Sequence, residues 1–324
     1  MKYLTIENIL LAVFILLFTV FSLTAPGFLS ESNLRAMAFQ LPEFGLIALG
    51  MMVVILTSGI DLSLTYTSAL AGIVIALGLT AGLPILAAIL LGLGAAILCG
   101  CVNAFFVSNI GVSPILVTIG TMILYEGVSM QITKGGAISG FPEQFYVFGN
   151  ATIGVIPLPI IIFAIFAIVT YVLLNNTPWG RSVYMIGSNP KATFFSGINT
   201  RRVLYYVYLY AALLAAIAGL IMASRYNSAK VDYGSSYLLL SIAAVVLGGT
   251  KIQGGYGKVM GTVLGVMIFQ ILTSALNLYG VSPHIVNIFI GGILIFVLTL
   301  NFILNNVGRK NVPKVIKRDT EIEA

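Results

Sequence analysis

The sequence predicts an all-α fold, a polytopic membrane protein with about ten transmembrane helices arranged as two inverted five-helix repeats. Three observations carry this expectation. Of the 324 residues, 59% are hydrophobic and 8% charged, and the mean hydropathy is +1.06. A soluble domain carries roughly 25% charged residues, so this chain lacks the polar groups to cover its own surface and lipid is the solvent that suits it. Breaker residues divide the apolar sequence into ten runs, at about 8–24, 42–58, 65–82, 85–107, 113–131, 154–174, 203–223, 236–248, 259–279 and 283–304. Finally, "GVSPILV" at 111–117 returns as "GVSPHIV" at 280–286, each leading into the last run of its half. An odd number of spans per half places the two halves in opposite orientation.

The elements follow in order. "MKYLTIENILLAVFILLFTVFSL" has the charge and apolar run of a signal peptide, but it is long enough to span and further spans follow, so it reads as a retained first helix. "TSGIDLSLTYTSALAG" at 57–72 breaks the second run from the third. Asp61 there has two readings: a cap accepting backbone N–H bonds at the start of the third span, or, with Ser63, part of a polar break lining a solute path. Cys99 and Cys101 point to different faces of the fourth span and read as small core residues.

Glu126 is an acid well inside the fifth run. It forms either a structural hydrogen bond or part of the solute path, and the same choice stands for Asn103, Gln131, Gln270 and Asn277. Tyr205, Tyr206, Tyr208 and Tyr210 at the start of the seventh run fit an interfacial belt. His284 is the single histidine and a poor basis for catalysis or metal binding.

The charges set the orientation. With the N-terminus inside, twelve of the sixteen basic residues fall on the cytoplasmic side and four, Arg35, Lys134, Arg225 and Lys230, outside. That bias places both termini in the cytoplasm. Bases scattered between apolar runs are topology signals rather than a nucleic-acid surface, so no nucleic-acid partner is expected.

Two cytoplasmic connections stand out. In "GSNPKATFFSGINTRR", Ser188 or Asn189 suits a helix cap, Pro190 its first position and Gly197 the residue past its end, which predicts a very short helix in a basic loop. "LGGTKIQGGYGKV" is glycine-rich, yet Val259 follows Gly257-Lys258 and Ile252 stands where a phosphate loop needs glycine. It reads as a tight turn, and the sequence holds no ATP-hydrolysing motif or convergent catalytic set.

Several separated motifs resemble a known family: "SGIDLS" (58–63), "VTIGTM" (117–122), "ISGFPEQF" (138–145), "GRSVYMIGSNPKATFFSGI" (180–198) and "YGSSYLLLSIAAVVLGGTKIQGGYGKVMGT" (233–262). Over about residues 30 to 300 the chain is similar to the membrane-spanning permease subunits of bacterial ABC importers for ribose, galactose and related monosaccharides, themselves similar to branched-chain amino-acid permeases. The spans, the repeat and the charges give a permease domain over 1–304, with repeats at about 8–131 and 154–304, and a basic cytoplasmic tail at 305–324; the resemblance makes the loop at 175–203 a cytoplasmic coupling loop. Within the loop, Gly187, Asn189, Pro190, Ala192, Phe194, Phe195, Ser196 and Gly197 correspond to the coupling helix that docks on the ATPase.

The implied partners are cytoplasmic ATPase subunits, a second permease copy (the same chain or a paralogue), an extracytoplasmic solute-binding protein, a small solute and membrane lipid. ATP and Mg²⁺ belong to the ATPase, and this chain carries no cofactor. It departs from the family at Lys191-Ala192-Thr193, where two alanines are common, at Leu239 and Leu240, where an acid is common, and at Glu126, where arginine is common. The solute stays open among ribose, another pentose, a deoxyhexose and autoinducer-2. The rivals are a branched-chain amino-acid or nucleoside importer of the same architecture and an ion-coupled secondary transporter.

Overall fold

The structure is a computed structural model, and it describes residues 5–282, 284–293, 295, 296 and 299. The first five apolar runs become α1 (Ile6–Thr24), α2 (Glu31–Leu56), α3 (Leu64–Thr80), α4 (Ile85–Ala104, continued by a π-helical turn at Phe105–Ile110) and α5 (Pro114–Thr133). A short α6 (Val147–Asn150) precedes α7 (Leu158–Asn176), and α8 (Pro178–Ser188) and α9 (Pro190–Phe195) form the next connection. The second half continues with α10 (Thr200–Tyr226), α11 (Tyr237–Leu247) and α12 (Val259–Leu278), then α13 (His284–Ile293). Among the described residues, seven helices are long and apolar enough to cross a membrane, while α3, α11 and α13 are shorter apolar helices. Together these ten coincide with the ten runs. The end of the tenth run and the basic tail at 305–324 lie outside the described residues.

Two boundaries differ from expectation. The second span begins at Glu31, not near 42, because Ser30 caps it by accepting from Asn33 N at 3.3 Å. Its polar first turns then find partners on α12: Ser274 donates to Asn33 at 2.8 Å and Gln270 Nε2 to Gln40 at 3.2 Å. The sixth span begins at Leu158, not 154. Residues 152–157 instead fold into a two-stranded hairpin, Thr152 opposite Pro157, with Gly154 at φ +63° in its turn. Most of the 175–203 connection is also helical, since Thr177 caps α8 by accepting from Gly180 N at 3.1 Å.

At the centre, α2 and α10 pack on each other. Then α10 lies against α3 and α4, and α2 lies in the same way against α11 and α12. Exchanging the first five spans for the last five maps one set of contacts onto the other. The repeated turn agrees, with Gly111 at φ +84° and Gly280 at φ +72°, a left-handed backbone that glycine adopts without strain. The correspondence ends at the first helix of each half, where α1 packs on α12 and α7 on α2.

The connections sort into two ends. At one, Lys258 pairs with Glu7 at 2.6 Å, and Tyr184 of α8 donates to the Gly257 carbonyl at 2.9 Å. At the other, Tyr279 donates to Thr24 at 2.7 Å, and Ile138–Ser139 pairs with Ser228–Ala229. The first end carries Arg181, Lys191, Arg201, Arg202, Lys251 and Lys258, as the charge parity requires.

Lipid supplies no hydrophobic drive between helices, so close backbone packing has to hold them. Gly219 of α10 is one such contact: a side chain there would run into the Ser68 carbonyl of α3. Gly219→Val is expected to destabilise the protein by about 1–3 kcal/mol, the usual range for overpacking. Thermal unfolding in detergent checks this, with Gly120→Val, whose Cβ position is open, leaving the midpoint unchanged.

Candidate functional site

The connection after α7 carries the first group of functional candidates. Asn189 ends α8 and caps α9, accepting from Ala192 N at 3.0 Å, and Pro190 occupies the first helical position. At the far end Gly197 N bonds to the Phe194 carbonyl and Ile198 N to the Thr193 carbonyl, with Gly197 at φ +82°. This double closure by a left-handed glycine is a Schellman motif. Ser196 donates back to the Ala192 carbonyl. The very short helix predicted from the sequence is therefore present and closed at both ends. Thr193 anchors it inward, while Phe194 and Phe195 stand 62% and 84% exposed with their rings 5.8 Å apart. Two exposed aromatics on a six-residue helix, on the end of the molecule that carries most of the described basic residues, form an apolar projection suited to a protein partner.

The second group is buried. The break between α2 and α3 turns Asp61 inward, where its Oδ1 accepts from Ser63 N at 2.9 Å and Ser63 Oγ at 2.6 Å. Asn103 of α4 donates to Ser63 Oγ at 2.8 Å, and Thr121 of α5 donates to Asn103 Oδ1 at 2.7 Å. Every member is buried, and Asp61 is only 2% exposed. Asp61 accepts from the N–H of Ser63, which precedes the first residue of α3, and no side chain caps the helix's own first N–H groups, so Asp61 closes the turn before α3 rather than capping the helix. In this conformation the cluster joins α3, α4 and α5 away from solvent.

The remaining candidates lie apart from it. Gln270 pairs with Gln40 between α12 and α2. Glu126 is half-buried on α5 beside Tyr66, and Asn277 is exposed near the end of α12. The tyrosine belt needs correction. Tyr206 is exposed with Arg202 stacked 5.9 Å above it, but Tyr208 is 1% exposed and Tyr210 pairs with Thr170 at 2.7 Å. The face of α10 that carries Tyr208 also carries Ala211, Ala212 and Ala215, and it turns toward neighbouring helices rather than the membrane boundary.

The sequence reading missed one cluster. Glu43, fully buried on α2, accepts from Arg225 Nη1 at 2.7 Å, Tyr226 at 3.0 Å and Tyr237 at 2.8 Å. Glu126 is thus not the deepest carboxylate, and a fixed charge pair does lie inside the bundle. Glu43 stood at the edge of a run, and Arg225 counted as an outside base. Only the fold brings two residues 182 positions apart together.

The architecture, with these two sets of polar contacts inside it, is that of a multi-pass permease. Residues 33–298 match the family described as branched-chain amino acid transport system, permease component, and the chain belongs to it. Among its relatives, the ribose import permease protein RbsC of Bacillus subtilis (strain 168) is 39% identical over 292 residues, 90% of each chain. The Haemophilus influenzae ribose import permease protein RbsC is 38% identical, over 83% of this chain and 85% of the relative. The autoinducer 2 import system permease protein LsrD of Photorhabdus temperata is 34% identical, over 81% and 82%. No solved structure matches the chain.

Glu43→Gln removes one half of a buried ion pair and leaves Arg225, 16% exposed, without its counter-charge. Such a loss costs about 3 kcal/mol or more. The variant is expected to unfold at lower temperature in detergent, and Glu43→Gln with Arg225→Met to recover part of the loss.

Proposed function

We propose that this chain is the membrane-spanning permease subunit of an ATP-binding-cassette importer, carrying a monosaccharide or related small polar solute across the bacterial cytoplasmic membrane. The observation that carries the reading is the 39% identity to a ribose import permease over 90% of both chains. In this reading the chain performs no chemistry. ATP and Mg²⁺ are handled by cytoplasmic ATPase subunits, a second permease copy (identical or paralogous) completes the membrane part, and an extracytoplasmic binding protein delivers the solute. The permease domain covers 1–304, with 175–203 as the coupling segment and 305–324 as a cytoplasmic basic tail.

Transport proceeds by alternating access. Closure of the ATPase pair displaces α9, and the helices rearrange from outward-open to inward-open. The shape of α9 supports this: caps at both ends keep a short helix rigid, and Phe194 and Phe195 present apolar area to a partner. Autoinducer-2 is the second reading, favoured by the identity to autoinducer 2 import permeases. Solute-dependent ATP hydrolysis by the reconstituted complex with its cognate binding protein, assayed with ribose and with autoinducer-2, separates the two.

Phe194→Ala with Phe195→Ala is expected to reduce copurification of the ATPase sharply, since a buried interface aromatic is commonly worth about 2 kcal/mol. Docking of the binding protein outside should persist. Normal copurification and normal solute-stimulated hydrolysis in the double variant overturn the docking role. The 12-to-4 distribution of basic residues supports cytoplasmic termini. Reporter fusions after Leu304 should then read as cytoplasmic and fusions near Lys134 as external.

A further inference from the structure

Three segments far apart in sequence meet beside the coupling segment. The Ser58 hydroxyl lies 3.1 Å from the Gly187 carbonyl and 2.6 Å from the Gln253 carbonyl, so one donor is shared between the end of α8 and the glycine-rich turn before α12. Gly255 N donates to the Leu56 carbonyl at 2.9 Å. The backbones touch: a side chain at Gly187 would run into the Leu56 carbonyl and Gly255 N. Ser58 adopts φ +65°, a left-handed backbone that a non-glycine residue seldom takes. Two residues further on, the Thr118 hydroxyl of α5 lies 3.0 Å from the Ile60 carbonyl and 2.8 Å from the Pro114 carbonyl of its own helix, so this donor too is shared between the break and a helix.

We infer that Ser58 and Thr118 are positioning residues which carry displacement of α9 into α5 through the α2–α3 break. The inference rests on the coupling role proposed for α9. Two physical features support the route. Backbones in direct contact have no slack, so movement of Gly187 toward Leu56 has to move the break. The break is tied along its length, through Ser58 to Gly187 and Gln253 and further on to Thr118 of α5 and the α4 residue Asn103, and these bonds pass the movement on. The competing route is direct, since α9 continues into α10 through residues 196–199.

The test uses the whole complex in proteoliposomes, with Ser58→Gly and Thr118→Val as separate variants. Glycine suits the left-handed backbone and deletes the CH₂OH side chain that carries the shared bond; valine keeps the shape of Thr118 and deletes the hydroxyl shared between Ile60 and Pro114. Both complexes should assemble with the ATPase and hydrolyse ATP. Ribose taken up per ATP hydrolysed should fall roughly 2- to 30-fold, the range over which residues along a coupling route act. A solute-independent readout accompanies it: bimane on Gly120→Cys, an open position on α5, should shift its emission on vanadate trapping in the parent complex and shift less in either variant.

Uptake per ATP at the parent value overturns the inference. If ribose is not carried, an undiminished bimane shift in both variants overturns it. Failure of the docking role reads differently, as normal ATPase copurification in the Phe194 and Phe195 double variant, whatever Ser58 does. If one variant fails to assemble, the other still decides.

Discussion

Everything in this protein depends on the crossing of α2 and α10. In hydrocarbon a helix gains little by hiding apolar side chains from lipid, so the bundle is held by close approach and by internal polar bonds. Both central helices are buried over most of their length, and each organises two helices of the opposite half. Alanine and glycine on α10 bring its backbone against α3 and α4. The two halves of the sequence therefore interlock, and neither is complete without a central helix from the other.

The polar groups inside this frame are placed where they can be satisfied. Glu43 receives three donors from α10 and α11, and the charge of Arg225 reaches it from the end of α10. Asp61 receives its donors from Ser63 and Asn103. An unpaired charge at these depths costs several kcal/mol, so each cluster acts as a tie. One joins α2, α10 and α11 toward the end that carries Lys230; the other joins α3, α4 and α5 toward the end that carries α9. In a transporter such ties decide which helices travel together.

Much of this was legible in the sequence, for physical reasons that differ by element. Apolar runs announced the ten helices because lipid demands them, and Asn189, Pro190 and Gly197 announced α9 because helix ends need partners for their free backbone groups. The start of α2 was not legible, because the residues from Ser32 to Gln40 look like a polar loop until α12 is placed beside them. The residues 154–157 looked like span because composition cannot distinguish apolar hairpin from apolar helix. No local spacing connects Glu43 with Arg225, and the contacts of Ser58 leave no signal in its own motif because they reach 129 and 195 residues away.

The hairpin before α7 has a mechanical consequence. Ile153, Val155 and Ile156 are exposed on it, Val155 at 95%, and it joins α7 without a linker, while Thr177 alone separates the other end of α7 from α8. Apolar side chains at the rim of a membrane span are favourable in the interfacial layer and resist being drawn out of it. A rod floated at one end in this way cannot behave as a piston. Under the coupling role proposed for α9, a force arriving at α8 would tilt α7 about its buoyant end, and the stroke would be a lever's arc, longest at the end that carries α9 and fading toward the opposite end.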